Sequence, residues 1–286
     1  MALPSSLPAG TRMLAADTFT SDVVLVTEAC GTLAMAAAVE FARAGARVAL
    51  TFRPDGSAPD LTTLRELAPR ALCLPCDAGD AAAVASLFDT VAAELGPVSI
   101  LLNHHGAASM APAEHLSLQD WHRATSRVLD AAFVCSTEFA RRRIAARAGG
   151  AILNLVDTMA WNGGPALAHA ATASAGVLNL TKTLAVEWGP DNIRVNAIAP
   201  GPFSGDGSAG QLLARVQGRD RARTLPAMRL GEPQEFGWTA TFLCSRYSAY
   251  TSGAVFVIDG GEYLRRSLSG APFVAPRDLA ATVAGT

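Results

Sequence analysis

The chain has 286 residues, half of them apolar, and a formal net charge of −2. That is enough to bury the core of one large α/β domain, and it offers no electrostatic footprint for nucleic acid. No apolar run reaches membrane-spanning length without a charge, and the opening residues lack the positive start and continuous apolar stretch of a leader, so the expected setting is the cytoplasm.

In chain order, short aliphatic runs alternate with longer helical patterns, the signature of parallel βαβ units. "VVLVT" from Val23 reads as a buried strand, followed by the helix "TLAMAAAVEFARAGA" and the strand "RVALTF". "ALCLP" and "SILLN" continue the series, with the helix "AAAVASLFDTVAAELG" between them. A long helix is expected from about Ser117 to Arg147, with the basic cluster Arg141, Arg142 and Arg143 on its solvated face. Then come the strand "AILNLV", a helix from about Pro165 to Trp188, and the strands "IRVNAIAPG" and "AVFVIDGG". The pattern predicts a single α/β domain built of parallel βαβ units over 21–263. An N-terminal extension (1–20) and a C-terminal tail (264–286) flank it. The five cysteines (30, 73, 76, 135, 244) read as reduced structural thiols, because the pair in "CLPC" falls in a predicted strand and not at a helix start.

The motifs "IRVNAIAPGP", "RLGEPQEFGWTATFLCS" and "TSGAVFVIDGG" resemble the short-chain dehydrogenase/reductase family from about residue 21 to 263. "LAVEWG", "FLCSRYSAYTSGAVFVIDGGE" and the spacing of "LLNHHGAASMAPAEHLS" lean toward its dienoyl-CoA reductase branch. The resemblance implies a single Rossmann-type doubly wound parallel sheet with helices on both faces, nucleotide at the carboxyl ends of the strands, and hydride transfer to or from a carbonyl, alcohol or enoyl group.

Compared with that family position by position, the chain departs from it. Where the family has TGxxxGxG, this chain reads "TEACGTLA", so Thr27 and Gly31 remain while Glu28, Thr32 and Ala34 stand at the three glycine positions. A carboxylate and extra side-chain bulk beside a pyrophosphate predict that dinucleotide binding is weak or absent. On the adenosine side, Arg53 resembles a basic residue that receives a 2′-phosphate, Asp77 stands where the family contacts adenine, and Asn103 opens the "NHHG" stretch. No cofactor is expected, and NADP(H) is favoured if any nucleotide binds. Arg53 could equally be an exposed loop cation, and Asp77 the cap of the helix beginning near Asp80.

By the same alignment the family's tyrosine, lysine, serine and asparagine positions hold Ala170, Ser174, Asp157 and Val128, and the dienoyl-CoA branch's earlier tyrosine position holds Met159. The three tyrosines all lie at 247 or later, and the single lysine is Lys182. The polar groups left near the expected centre are Asp157, His104, His105 and His169, a candidate acid/base set in a pocket with Met159, Trp161, Ala170 and Ser174. Each histidine could instead be bonded to backbone. A metal site from the same residues is not expected, because no HxxxH or HxxE spacing supports it. His115 and His122 read as helix surface.

Three readings follow. The first is a non-redox lyase, isomerase or cyclase acting on a small hydrophobic or acyl substrate through Asp157 and a histidine. The second is a catalytically inert member serving as an assembly or binding partner. The third is a divergent NADP(H)-dependent oxidoreductase with displaced catalytic residues. The resemblance also implies pairing through the helices at 117–147 and 165–188, the latter carrying Val177, Leu178, Leu184 and Val186. A homodimer, a homotetramer or a hetero-oligomer with an active relative is therefore expected.

Overall fold

Strand β1, Val23–Val26, is buried along its whole length, which explains why its sequence is uniformly aliphatic and not alternating. In the computed structural model, which describes residues 11–106, 110–205, 222 and 225–264, β1 lies inside a seven-stranded sheet of order β3-β2-β1-β4-β5-β6-β7. The other strands are β2 (Arg47–Phe52), β3 (Leu72–Pro75), β4 (Ile100–Asn103), β5 (Gly150–Leu155), β6 (Ile193–Pro200) and β7 (Val255–Ile258). Every pairing is parallel. The expected doubly wound fold is therefore what forms.

Side chains alternate between the two faces of each strand. Val24 and Val26 of β1 join a cluster with Phe41 of α1 (Thr32–Arg43) and Phe236 of α8 (Pro233–Cys244). Val23 and Leu25 join the opposite cluster, with Phe88 of α3 (Ala81–Leu95), Phe139 of α5 (Ala131–Ala145) and Leu184 of α7 (Ala168–Glu187). Helices α1 and α8 meet at Gly237, where a Cβ would stand 2.7 Å from Cγ of Glu40 and 2.8 Å from the Ala36 carbonyl oxygen. Phe19, in the expected N-terminal extension, packs edge-on against Phe41 with ring centroids 5.2 Å apart. The first ten residues, and the expected tail from 265 on, lie outside the described residues.

The long helix expected from Ser117 to Arg147 forms continuously over Leu118–Ala145, with a π-helical turn inside it. It runs as α4 (Leu118–Thr125), a wide π-helical turn (Ser126–Asp130) and α5. Two short elements have no counterpart in the sequence reading, α2 (Thr62–Leu67) and α6 (Met159–Asn162). Of the residues expected at an assembly face on α7, Val177 and Leu184 are buried against the sheet, whereas Val186 is exposed.

The cap of α3 is Asp80, not Asp77. The Asp80 carboxylate accepts from the amides of Ala82 (2.8 Å) and Ala83 (3.3 Å), while Asp77 accepts from the Gly79 amide at 3.1 Å. Replacing Asp80 with alanine leaves those amides to water. The expected loss is about 1 kcal/mol of stability, read from the urea unfolding midpoint.

Among the described residues no helix is long and apolar enough to cross a membrane, and no group of His, Cys, Asp or Glu could hold a metal ion.

Candidate functional site

Strand order reverses between β1 and β4, so the crevice opens at their carboxyl ends, where the loops after all seven strands converge. Its first wall is the β1–α1 turn. Thr27 is fully buried, and its Oγ1 takes the His104 amide at 3.1 Å. Glu28 adopts φ 47°, the left-handed region that a glycine would occupy without strain, so the turn keeps its shape despite the side chain. The Glu28 amide donates to Thr51 Oγ1 at 3.0 Å. Its carboxyl group is held above the usual carboxylate range by burial, partly offset by Arg127 and Arg53.

Thr32, expected simply to add bulk, instead donates its hydroxyl to the Gly205 carbonyl at 2.7 Å, tying the loop after β6 to the start of α1. Gly31 is the N-cap of α1 and supplies no side-chain cap. A Cβ on Gly31 would stand 3.2 Å from Cε1 of His104.

The adenosine-side residues separate from their expected roles. Arg53 grips Asp55 through two bonds, Nε to Oδ1 at 2.9 Å and Nη2 to Oδ2 at 3.0 Å, and its Nη1 lies 3.9 Å from Glu28. Its guanidinium is already engaged by carboxylates. Asn103 is inside the core, its Nδ2 donating to Ser136 Oγ (2.9 Å) and Asn154 Oδ1 (2.8 Å). It braces β4 against β5 and α5.

The expected acid/base set is not assembled. Asp157 is exposed, and its Oδ1 takes the Met159 amide at 2.8 Å, closing the first turn of α6. Its own amide donates to Ser174 Oγ at 3.1 Å. Among the described residues His104 and His105 make no hydrogen bond to Asp157. His169 is buried in α7, where burial lowers its pKa, and the carboxylate that opposes this shift is Asp120. Of the four groups, only the adjacent His104 and His105 share a location, both anchored at Thr27.

His105 is buried, its Nε2 hydrogen-bonded at 3.2 Å to Thr27 Oγ1. Burial, then the positive charges of His104 and Arg127, push its pKa down to about 3. The folded value lies below the unfolded value of roughly 6.5, so below that pH the unfolded chain takes a proton that the folded chain refuses. His105 therefore makes stability highest above about pH 6.5, with a loss as pH falls toward about 3. His105→Asn should flatten this dependence by up to about 1.4 kcal/mol per pH unit in urea unfolding, and an unchanged slope would place the acid sensitivity elsewhere.

Two residues that the sequence reading passed over stand at the crevice. Tyr263 follows the carboxyl end of β7. Asp259 fixes its backbone, Oδ1 taking the Gly261 amide at 2.8 Å and Oδ2 the Tyr263 amide at 2.7 Å. Its ring lies against Trp161 of α6, centroids 6.1 Å apart, and Asn162 Nδ2 reaches its carbonyl at 3.4 Å. Tyr247 and Tyr250 precede β7 and so belong to the opposite edge of the sheet. Arg127 lies in the π-helical turn, with its Nε buried and without a hydrogen-bond partner. A strand-end position for Tyr263, and a cation one residue before Val128, were the available signals.

Residues 29–262 match the family model described as enoyl-(acyl carrier protein) reductase. The chain is 34% identical over 251 residues to D-threitol dehydrogenase of Mycolicibacterium smegmatis, covering 85% of this chain and 93% of that protein. It is 32% identical over 272 residues to a peroxisomal 2,4-dienoyl-CoA reductase of Pongo abelii, covering 90% and 89%. The crystal structure of a short chain dehydrogenase from Bacillus anthracis superposes with a TM-score of 0.75 at 33% identity, over 86% of this chain and 98% of that one. These relatives are named as dehydrogenases and reductases. They overturn the expectation of a chain that has left redox chemistry, whether as a non-redox enzyme or as an inert partner.

Proposed function

The chain belongs to the short-chain dehydrogenase/reductase superfamily, and from that membership we propose that it is a nicotinamide-nucleotide-dependent oxidoreductase that reduces a conjugated double bond of an acyl thioester. The observation that carries the reading is the placement of Tyr263 against α6. A tyrosine ring thus stands beside α6 although the aligned tyrosine position holds Ala170.

The crevice fits a nucleotide. The N-terminus of α1 has no capping side chain, so its first amides can meet a phosphate, and the left-handed backbone at Glu28 preserves the turn that presents them. Gly31 and Thr27 would line this end. Bound nucleotide supplies the hydride. This reverses the expectation that no cofactor is used.

The substrate class follows from the proton donors. Reducing an isolated carbonyl concentrates negative charge on one oxygen, which calls for a phenol acidified by a nearby cation. Lys182 is exposed on α7, and Ser174 stands at the aligned lysine position. Hydride addition to a conjugated thioester spreads the charge through an enolate, which needs a hydrogen bond at the thioester oxygen and then one proton at carbon. A phenol can provide both, directly or through water, without a cation beside it. Tyr263 is the proposed donor, and the exposed Trp161 beside it offers an apolar wall for the acyl chain.

The test is consumption of NADH or NADPH by purified protein given a 2,4-dienoyl-CoA. Turnover that requires both protein and thioester is expected, and no consumption of either nucleotide would contradict the reading. The proposed setting is the cytoplasm, supported by five free thiols. The proposed assembly is a homodimer or homotetramer. Phe133 of α5 and Val186 of α7, exposed at 50% and 81%, support a contact through these helices.

A further inference from the structure

Arg127 is a cation that, among the described residues, no carboxylate has claimed. It belongs to the five-residue π-helical turn Ser126–Asp130, where the wider helix redirects side chains relative to α4 and α5. The turn faces the adenosine side: a Cβ at Gly79 would stand 3.3 Å from Ser126 Oγ and 3.5 Å from Asp77 Oδ1. Among the described residues Arg127 makes no ion pair, and its buried Nε has no acceptor. A buried guanidinium nitrogen left without an acceptor is costly unless a ligand supplies one.

Its surroundings indicate what that ligand is. The charge of Arg127 is felt at Glu28 after β1, at Asp55 after β2 and at His105 after β4, so it lies among the loops of the β1–β2–β4 half of the crevice. Arg53, the cation expected to take a phosphate, is held bidentately by Asp55. Glu28, half-buried after β1, has its one ion pair with Arg53 at 3.9 Å, and its carboxylate also feels the charge of Arg127.

We propose that Arg127, not Arg53, is the guanidinium that binds a phosphate group of the dinucleotide, and that the Glu28 carboxylate opposes the incoming anion. The assignment rests on the oxidoreductase reading, since it assumes that the crevice takes a nucleotide. A guanidinium suits the role because its fork of donors matches phosphate oxygens. Two phosphates lie on the adenosine side of such a nucleotide, the 5′-diphosphate present in both forms and the 2′-phosphate present only in NADP(H).

The test is a fluorescence or calorimetric titration of full-length protein with NADH and, separately, with NADPH. Arg127→Met, which keeps the aliphatic stem, should weaken binding by about 10- to 100-fold. Arg127→Lys should lose less, because it keeps the charge and not the fork. Weakening toward both nucleotides assigns the guanidinium to the diphosphate, weakening toward NADPH alone assigns it to the 2′-phosphate, and either supports the proposal. Glu28→Gln should act in the opposite direction and tighten binding several-fold, which provides a second test if Arg127→Met does not fold. Wild-type affinity of Arg127→Met for both nucleotides, or no tightening in Glu28→Gln, would overturn the assignment alone. Absence of binding by the wild-type protein at millimolar nucleotide would overturn the oxidoreductase reading along with it.

Discussion

Replacing Tyr263 with phenylalanine is expected to lower the turnover number by about two to four orders of magnitude while leaving nucleotide affinity unchanged. The variant removes one oxygen and keeps the ring against Trp161, so the packing at α6 survives. The backbone also stays in place, because the bonds to Asp259 and Asn162 use the amide and carbonyl of residue 263, not its hydroxyl. A purely structural tyrosine would tolerate the change. The distinguishing readout is the split between kcat and KM: loss of a proton donor should lower kcat and leave KM and the unfolding midpoint in place, whereas lost packing should shift both of these. Wild-type turnover in Tyr263→Phe would show that another group delivers the proton.

Phe139→Ala is expected to destabilise the fold by about 3–5 kcal/mol, a large fraction of the stability of a domain. The Phe139 side chain is fully buried and fills the space left by Gly150 at the start of β5, where a Cβ would stand 2.6 Å from the ring. The surrounding cluster spans α3, α5 and α7, and these helices are fixed to the sheet on this face. Collapse into the cavity is therefore limited, which is why the upper part of the range applies. Urea unfolding monitored by far-ultraviolet circular dichroism measures the loss, and a change below about 1 kcal/mol would mean that the cluster relaxes around the vacancy.

The sheet was legible because burial on both faces writes each parallel strand as an aliphatic run, as in Val23–Val26. The π-turn inside the helix after Ser117 was not, since Ser126–Asp130 carries no proline or glycine and continues the helical pattern. Helix α2 escaped notice because six residues are too few to establish a period.

In the site, the sequence located the loops better than the roles of their residues. Asp157 reads as a proton-transfer group by alignment, but an aspartate two residues before a free amide at a helix start closes an Asx-type turn, and its bond to the Met159 amide does this. Arg53 reads as a phosphate ligand until Asp55, two residues away, is seen to occupy it. Tyr263 lies 93 residues beyond the aligned position Ala170, but parallel topology brings the end of β7 beside α6. Distances along the chain do not predict such juxtapositions, but strand direction does.

Hydride transfer itself is the central claim, and it can be followed directly. Reduction of a 2,4-dienoyl-CoA with nucleotide carrying deuterium at the transferable position of the nicotinamide, followed by mass spectrometry of the product, should place one deuterium on carbon. Turnover should not exchange that label with solvent. A product without deuterium, or unchanged thioester with both NADH and NADPH, would contradict the account.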